Sequence, residues 1–250
     1  MSYLSRIRIN PLRAQSRAML ASPRVMHSYI CAGVPGTPDS ERILWRLDAD
    51  NPYRPLLFVL TQSKPDWAHI VEAAGWPDAD GEHFAIADYA PLLARITPGR
   101  EFAFRLTASP VQNTNHPDKP TPAQAARIAA GDRRSFRLAH RTANAQLGWL
   151  LDRTARCGFE IAIARTDPPI PSLADDKAVP APDVRLIARD RRTFTRGGRG
   201  KQIILHTATF EGRLRVTDNA LLTSALLGGI GPSKAYGCGL LTLAPLPTGQ

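Results

Sequence analysis

The chain has 250 residues, 43% of them hydrophobic, so it holds one large or two small cored domains and is not a disordered polymer. A net charge of +10, carried by 27 Arg and 5 Lys against 22 acids, calls for a polyanionic partner: RNA, DNA or an acidic membrane face. Three widely spaced cysteines (Cys31, Cys157, Cys238) exclude a disulfide scaffold and point to a reduced, cytoplasmic protein, and no apolar run reaches membrane-spanning length.

Residues 1–38 hold five basic and no acidic groups, a composition shared with transit peptides. The stretch 3–9 nevertheless alternates as a strand, with Ser5, Ile7 and Ile9 on one face and Arg6 and Arg8 on the other. Pro11 and Pro23 also interrupt any long amphipathic helix, so the segment reads as folded protein. A helix follows over 23–32, with Ser22 as its cap and Pro23 preset for the first turn. Strands are expected at 43–48 and 56–62, a helix at 66–74 opened by Pro65-Asp66, and a strand at 83–88. The order βαββαβ is that of a ferredoxin-like (RRM-like) domain. Asp78-Ala-Asp80-Gly-Glu82 reads as a turn, being too short for a calcium loop.

Thr97-Pro98-Gly99 marks a break, dividing the chain into domains 1–97 and 98–250. The second part opens with a strand at 101–108 and a Pro-rich loop at 110–122. A helix runs over 142–156, with Leu147, Leu150 and Leu151 on one face. Strands follow at 159–165, 184–188, 202–209 and 212–216, then a helix at 219–227 and a last strand at 240–243. With hairpin insertions set aside, this is a second βαββαβ. The fold class is therefore α+β, with two tandem ferredoxin-like domains. Residues 39–98 carry 5 basic and 10 acidic groups, whereas residues 99–250 carry 22 and 12. A nucleic-acid surface thus belongs to the beginning and the last part of the chain.

The segment 228–246 reads GGIGPSKAYGCGLLTLAPL. Glycines permit close backbone approach, and Lys234 adds one mobile cation, so Gly229, Gly231 and Lys234 form a candidate phosphate contact. The order helix, glycines, strand is the reverse of a nucleotide P-loop and disfavours an ATPase. The plainer reading is a helix-to-strand turn. Two arginine clusters stand out: Arg133, Arg134, Arg137 and Arg141, and the run RDRRTFTRGGRGK with Arg189, Arg191, Arg192, Arg196, Arg199 and Lys201. Each is a candidate RNA surface or a merely solvated face.

No histidine pair or carboxylate cluster has metal-ligand spacing, so neither a metal nor another cofactor is expected. Metal-free RNA cleavage needs only a proton acceptor, a proton donor and charge stabilisation around an aligned 2′-hydroxyl. Of six histidines, His27 fits best, early in a helix of an acid-free basic segment. Arg24, at i−3, shares its face and is placed to bind the scissile phosphate and to lower the His27 pKa. A lone helical histidine also has the ordinary reading of packing. His69, His83 and His206 read as structural, His116 lies in a loop, and His140 lies in a basic run.

The glycine-rich segment resembles the C-terminal signature of the CasE family, the endoribonucleases that process CRISPR precursor RNA in type I-E systems. The resemblance extends over most of the chain, through the opening strand, the Met26-His27 helix, Phe104-Arg-Leu-Thr-Ala-Ser-Pro110 and a hairpin at Phe210-Glu-Gly-Arg-Leu214. It implies that His27 is the catalytic acid/base and that an arginine-rich part of the second domain grips the repeat stem-loop. It further implies a cut at the 3′ base of the repeat hairpin that leaves a 5′-hydroxyl and a 2′,3′-cyclic phosphate. The mature crRNA would then stay bound, with other Cascade subunits as partners of a protein that is monomeric when alone. Many members have tyrosine where Arg24 stands, which puts any tyrosine role in proton transfer in doubt. The rival readings are a non-catalytic RNA-hairpin-binding subunit and a basic structural protein of a ribonucleoprotein.

Overall fold

A computed structural model describes residues 1–36, 40–131, 134–164, 181–195 and 202–246. The first part comprises β1 (Tyr3–Arg8), α1 (Ala14–Ala21), α2 (Pro23–Ala32), β2 (Leu44–Asp48), β3 (Leu56–Thr61), α3 (Ala68–Ala74), β4 (Phe84–Asp88) and the short α4 (Ala90–Leu93). Its strands form an antiparallel sheet in the order β2-β3-β1-β4. Strand alternation sends Ile7, Leu57, Val59 and Trp45 to one face, where they pack on Met19, Met26, Ile30 and Trp67.

Two helices, not one, separate β1 from β2. The added α1 buries only Ser16 and Met19, so it leaves little periodic signal. Ser22 does not cap α2 with its side chain, contrary to expectation; its amide instead closes α1 on Ala18 O, and Pro23 supplies the preset first turn. The next helix begins two residues late, at Ala68, whose amide donates to the Asp66 side chain.

The second part comprises β5 (Glu101–Ala108), β6 (Val111–Thr114), α5 (Pro122–Ala129), β7 (Phe136–Ala139), α6 (Ala143–Thr154), a 3-10 turn (Ala155–Cys157), β8 (Phe159–Ile161), β9 (Val184–Thr195), β10 (Gln202–Val216), α7 (Asn219–Gly228), a second 3-10 turn (Lys234–Tyr236) and β11 (Leu241–Ala244). The sheet order is β11-β5-β10-β8, with β9 paired to β10 beyond it. Counted within each half, with β6, β7 and β9 set aside, both sheets read fourth-first-third-second, the ferredoxin-like order.

Three features differ from expectation. The expected hairpin at 210–214 is part of one continuous 15-residue strand, β10, with a register shift between Thr209 and Phe210. Gly212 serves close approach there, because a Cβ would run into the Asp183 carbonyl. The loop expected at 110–122 contains β6, and α5 and β7, the latter paired with β6, follow it before α6. The buried face of α6 is Gln146, Trp149 and Leu150, with Leu151 exposed. Trp149 sets that rotation: its ring lies under Gly231 and its Nε1 donates to Val111 O at 3.2 Å.

The two sheets are joined by Arg46, which is 2% exposed. Its Nη1 donates to Arg105 O (3.0 Å), Leu240 O (3.3 Å) and Thr242 Oγ1 (2.8 Å), and Nε donates to Asp48 at 2.7 Å. Arg105 in turn pairs with Asp50 (2.5 Å) and Glu211 (3.2 Å). This clamp from β2 to β5 and β11 holds α2 against the second 3-10 turn.

Candidate functional site

Met26 and Ile30 point into the first core, which leaves His27 half-buried at the edge of α2. Burial lowers its pKa below the ordinary 6.5, so the neutral ring is favoured near neutral pH. The expected cause was Arg24; burial is what does it. Arg24 lies one turn earlier, exposed, and does not line the cleft at His27. One turn later, Cys31 Sγ sits 3.6 Å from His27 Nε2. Tyr29, on the far side of α2, stacks on His69 at 6.5 Å, and its carbonyl lies 2.9 Å from His69 Nε2. His69 is thereby accounted for by structure.

The cleft at His27 has a volume of about 430 Å³ and is lined also by Glu41, Arg42, Gln62, Lys234 and Ala235. Glu41 is tied down: it accepts from the Ser63 amide (2.8 Å), the Ser63 hydroxyl (2.7 Å) and the Gln62 amide (3.2 Å). Arg42 is exposed at the mouth. Burial, and then the nearby Arg42 charge, lower the Lys234 pKa. The cleft therefore joins one neutral proton acceptor to two cationic side chains from different parts of the chain. Arg42, Glu41 and Gln62 were not anticipated, because Arg42 lies in a segment whose average charge is acidic.

Lys234 is presented by a tight loop. Ser233 enters it at φ 65 and Gly237 leaves it at φ 81. A Cβ on Gly237 would stand 2.8 Å from the Trp45 ring, so only glycine lets the loop close on β2. Trp45 Nε1 donates to Ala235 O at 3.3 Å, fixing the loop beside α2. The Gly229 amide donates to Ala225 O, ending α7, and Gly231 packs on Trp149. These two glycines shape the loop that carries Lys234.

The arginine run on β9 divides by strand alternation. Arg189 and Arg191 face the helices: Arg191 is paired across the sheet with His206 and Arg189 with Ala208. Arg189 donates to Gln146 Oε1 at 2.9 Å and to the Arg141 carbonyl. Burial, then Arg141 and Arg191, lower the His206 pKa, so Arg141, Arg189, Arg191 and His206 share one face. Arg192 points the other way, where its Nη1 donates to Leu20 O of α1 at 3.4 Å. Arg137 is exposed on β7 and Arg134 just precedes it. Arg133, Arg196, Arg199 and Lys201 lie outside the described residues. A larger cleft, about 510 Å³, lies at the other end of β1 beside Arg8, Arg54, Trp76 and His83, and shares no residue with the His27 cleft.

Among the described residues, no three His, Cys, Asp or Glu side chains gather as a metal would require, and no helix is long and apolar enough to cross a membrane. A family model described as CRISPR associated protein matches residues 2–245. The chain is 28% identical over 246 residues to the CRISPR-associated endoribonuclease Cse3 of Thermus thermophilus, spanning 97% of this chain and 100% of that protein. A 64-residue stretch is 44% identical to the CRISPR system Cascade subunit CasE of Escherichia coli, covering 26% of this chain and 31% of the other. The structure of Thermus thermophilus Cse3 bound to an RNA representing a pre-cleavage complex matches with a TM-score of 0.69 at 26% identity, over 98% of this chain and 99% of that one. Matched by the family model over nearly its whole length, the chain belongs to the CRISPR-associated proteins, in their CasE (Cse3) group.

Proposed function

We propose that this protein is a metal-independent endoribonuclease that cuts the repeat hairpin of CRISPR precursor RNA and then keeps the mature crRNA as a subunit of Cascade. The observation that carries this reading is the convergence of His27, Arg42 and Lys234 in one cleft, in a chain that also gathers Arg141, Arg189 and Arg191 on one face of its second sheet. In this reading the neutral His27 ring takes the proton of the 2′-hydroxyl. The freed oxygen attacks the adjacent phosphorus, the bond to the 5′-oxygen breaks as that oxygen takes a proton from solvent water, and the products are a 2′,3′-cyclic phosphate and a 5′-hydroxyl. Arg42 and Lys234 offset the charge that grows on the phosphate oxygens. The basic face holds the stem through shape and backbone contacts, as A-form RNA requires.

We place the division between the two units at 97/98, supported by one complete four-strand set on either side. In this reading the protein acts in the cytoplasm, supported by the wide spacing of Cys31, Cys157 and Cys238, and is monomeric before assembly. The test is cleavage of the cognate repeat hairpin in EDTA by wild type and His27→Ala. Wild type is expected to cut, and the variant to bind equally without cutting. A second reading, a non-catalytic hairpin-binding subunit, draws on Arg24 standing where many family members have tyrosine; tight binding without cutting by the wild type selects it.

A further inference from the structure

Lys234 does not close the His27 cleft. It also lines a second groove, of about 340 Å³, that runs beside α7 past Gly228, Ala225 and Ser224 to Arg156. A 10-residue helix such as α7 is about 15 Å long. The direction of this groove follows from the antiparallel packing of α6 and α7. The end of α7 that meets the glycine loop lies beside Trp149 in α6, on the side where Arg141, Arg189 and Gln146 meet. The other end of α6 meets the start of α7, where the Thr217 and Asp218 amides donate to Gly158 O. Arg156 sits at that far end, exposed.

We infer that this groove binds the unpaired RNA strand leaving the cut on its 3′ side, with phosphates passing from Lys234 toward Arg156. The inference rests on the nuclease reading above, in which the hairpin itself occupies the basic face on the near side of Lys234. No acidic side chain lines the groove. Its small residues, Ser224, Ala225 and Gly228, let a sugar-phosphate backbone approach closely. Lys234 also offsets the negative end of the α7 dipole, which alone would repel phosphate.

The experiment compares binding of a repeat hairpin made uncleavable by a 2′-deoxy substitution at the cut, with and without a short unpaired 3′ extension. Wild type, Arg156→Ala and Gly228→Glu are measured side by side. A Cβ on Gly228 meets nothing within 4 Å, so a side chain there enters the groove without disturbing the fold. Wild type is expected to bind the extended RNA several-fold more tightly than the bare hairpin. That gain shrinks about two- to threefold per phosphate contact between roughly 50 and 200 mM salt. Both variants erase the gain and leave affinity for the bare hairpin unchanged. The groove assignment is overturned if wild type shows no gain, if the gain survives in either variant, if both RNAs weaken equally, or if only a 5′ extension produces it. A wild type that binds but never cuts the all-ribose hairpin overturns the nuclease reading instead, and the binding comparison still decides the groove.

Discussion

The two halves of the molecule have the same strand order and carry different side chains on it. In the first half, α2 lifts a half-buried neutral histidine to the edge of a cleft. In the second, the helix side of the sheet gathers Arg141, Arg189, Arg191 and His206, and a tight loop hands Lys234 across to the first half. In the proposed reading, one scaffold used twice thus separates proton transfer from grip. The comparison shows that the ferredoxin-like order predicts neither role; the side chains mounted on it do.

The sharpest way to break this division is His27→Ala, expected to slow cleavage by roughly 10²–10⁴-fold while the dissociation constant for an uncleavable hairpin stays put. Weakened binding by that variant would place grip in the first half as well. Arg42→Ala is the next test. It is expected to lower the single-turnover rate by about 10²-fold at saturating RNA, with little change in binding; a pure binding defect would move Arg42 to the gripping side. Arg46→Ala addresses the joint between the halves. It removes the nearer of the two arginines at Asp48, leaving Arg105 at 3.6 Å, and denaturant unfolding should show a loss of about 3 kcal/mol.

Arg191→Ala is expected to weaken hairpin binding and to lower the salt slope by about one, leaving the rate at saturation unchanged. The smallest effect is that of pH. Because burial lowers the His27 pKa, the rate should rise with pH through a midpoint below the ordinary 6.5 of a free histidine. The linkage has the same sign: a ring buried neutral is destabilising once it must protonate, so stability falls as pH drops through the window just below 6.5. His27→Gln should remove both dependences.

Much of the fold was legible because it rests on local periodicity. β5 alternates intermediate and buried residues along its whole length, and α2 keeps the bounds that Pro23 and its apolar spacing suggest. Other elements left weak marks. The helix α1 buries two residues, and α5 buries none, though Thr121 and Gln124 form a capping box that announces it. Within the candidate site, His27 and Lys234 stood out from the chain itself, one by its acid-free helix and the other by its glycines.

Local sequence sufficed to locate the strands of the two main sheets, the two-fold repeat of βαββαβ and the proton-transfer candidate, since each depends on neighbours a few residues apart. Packing alone brings Arg42 to His27 and Lys234, turns the Arg189 side of β9 toward α6, and lets Arg46 lock the halves together. Those outcomes depend on how two sheets are set against each other. Groups up to two hundred residues apart meet there through burial and hydrogen bonding, and no local pattern encodes such a meeting.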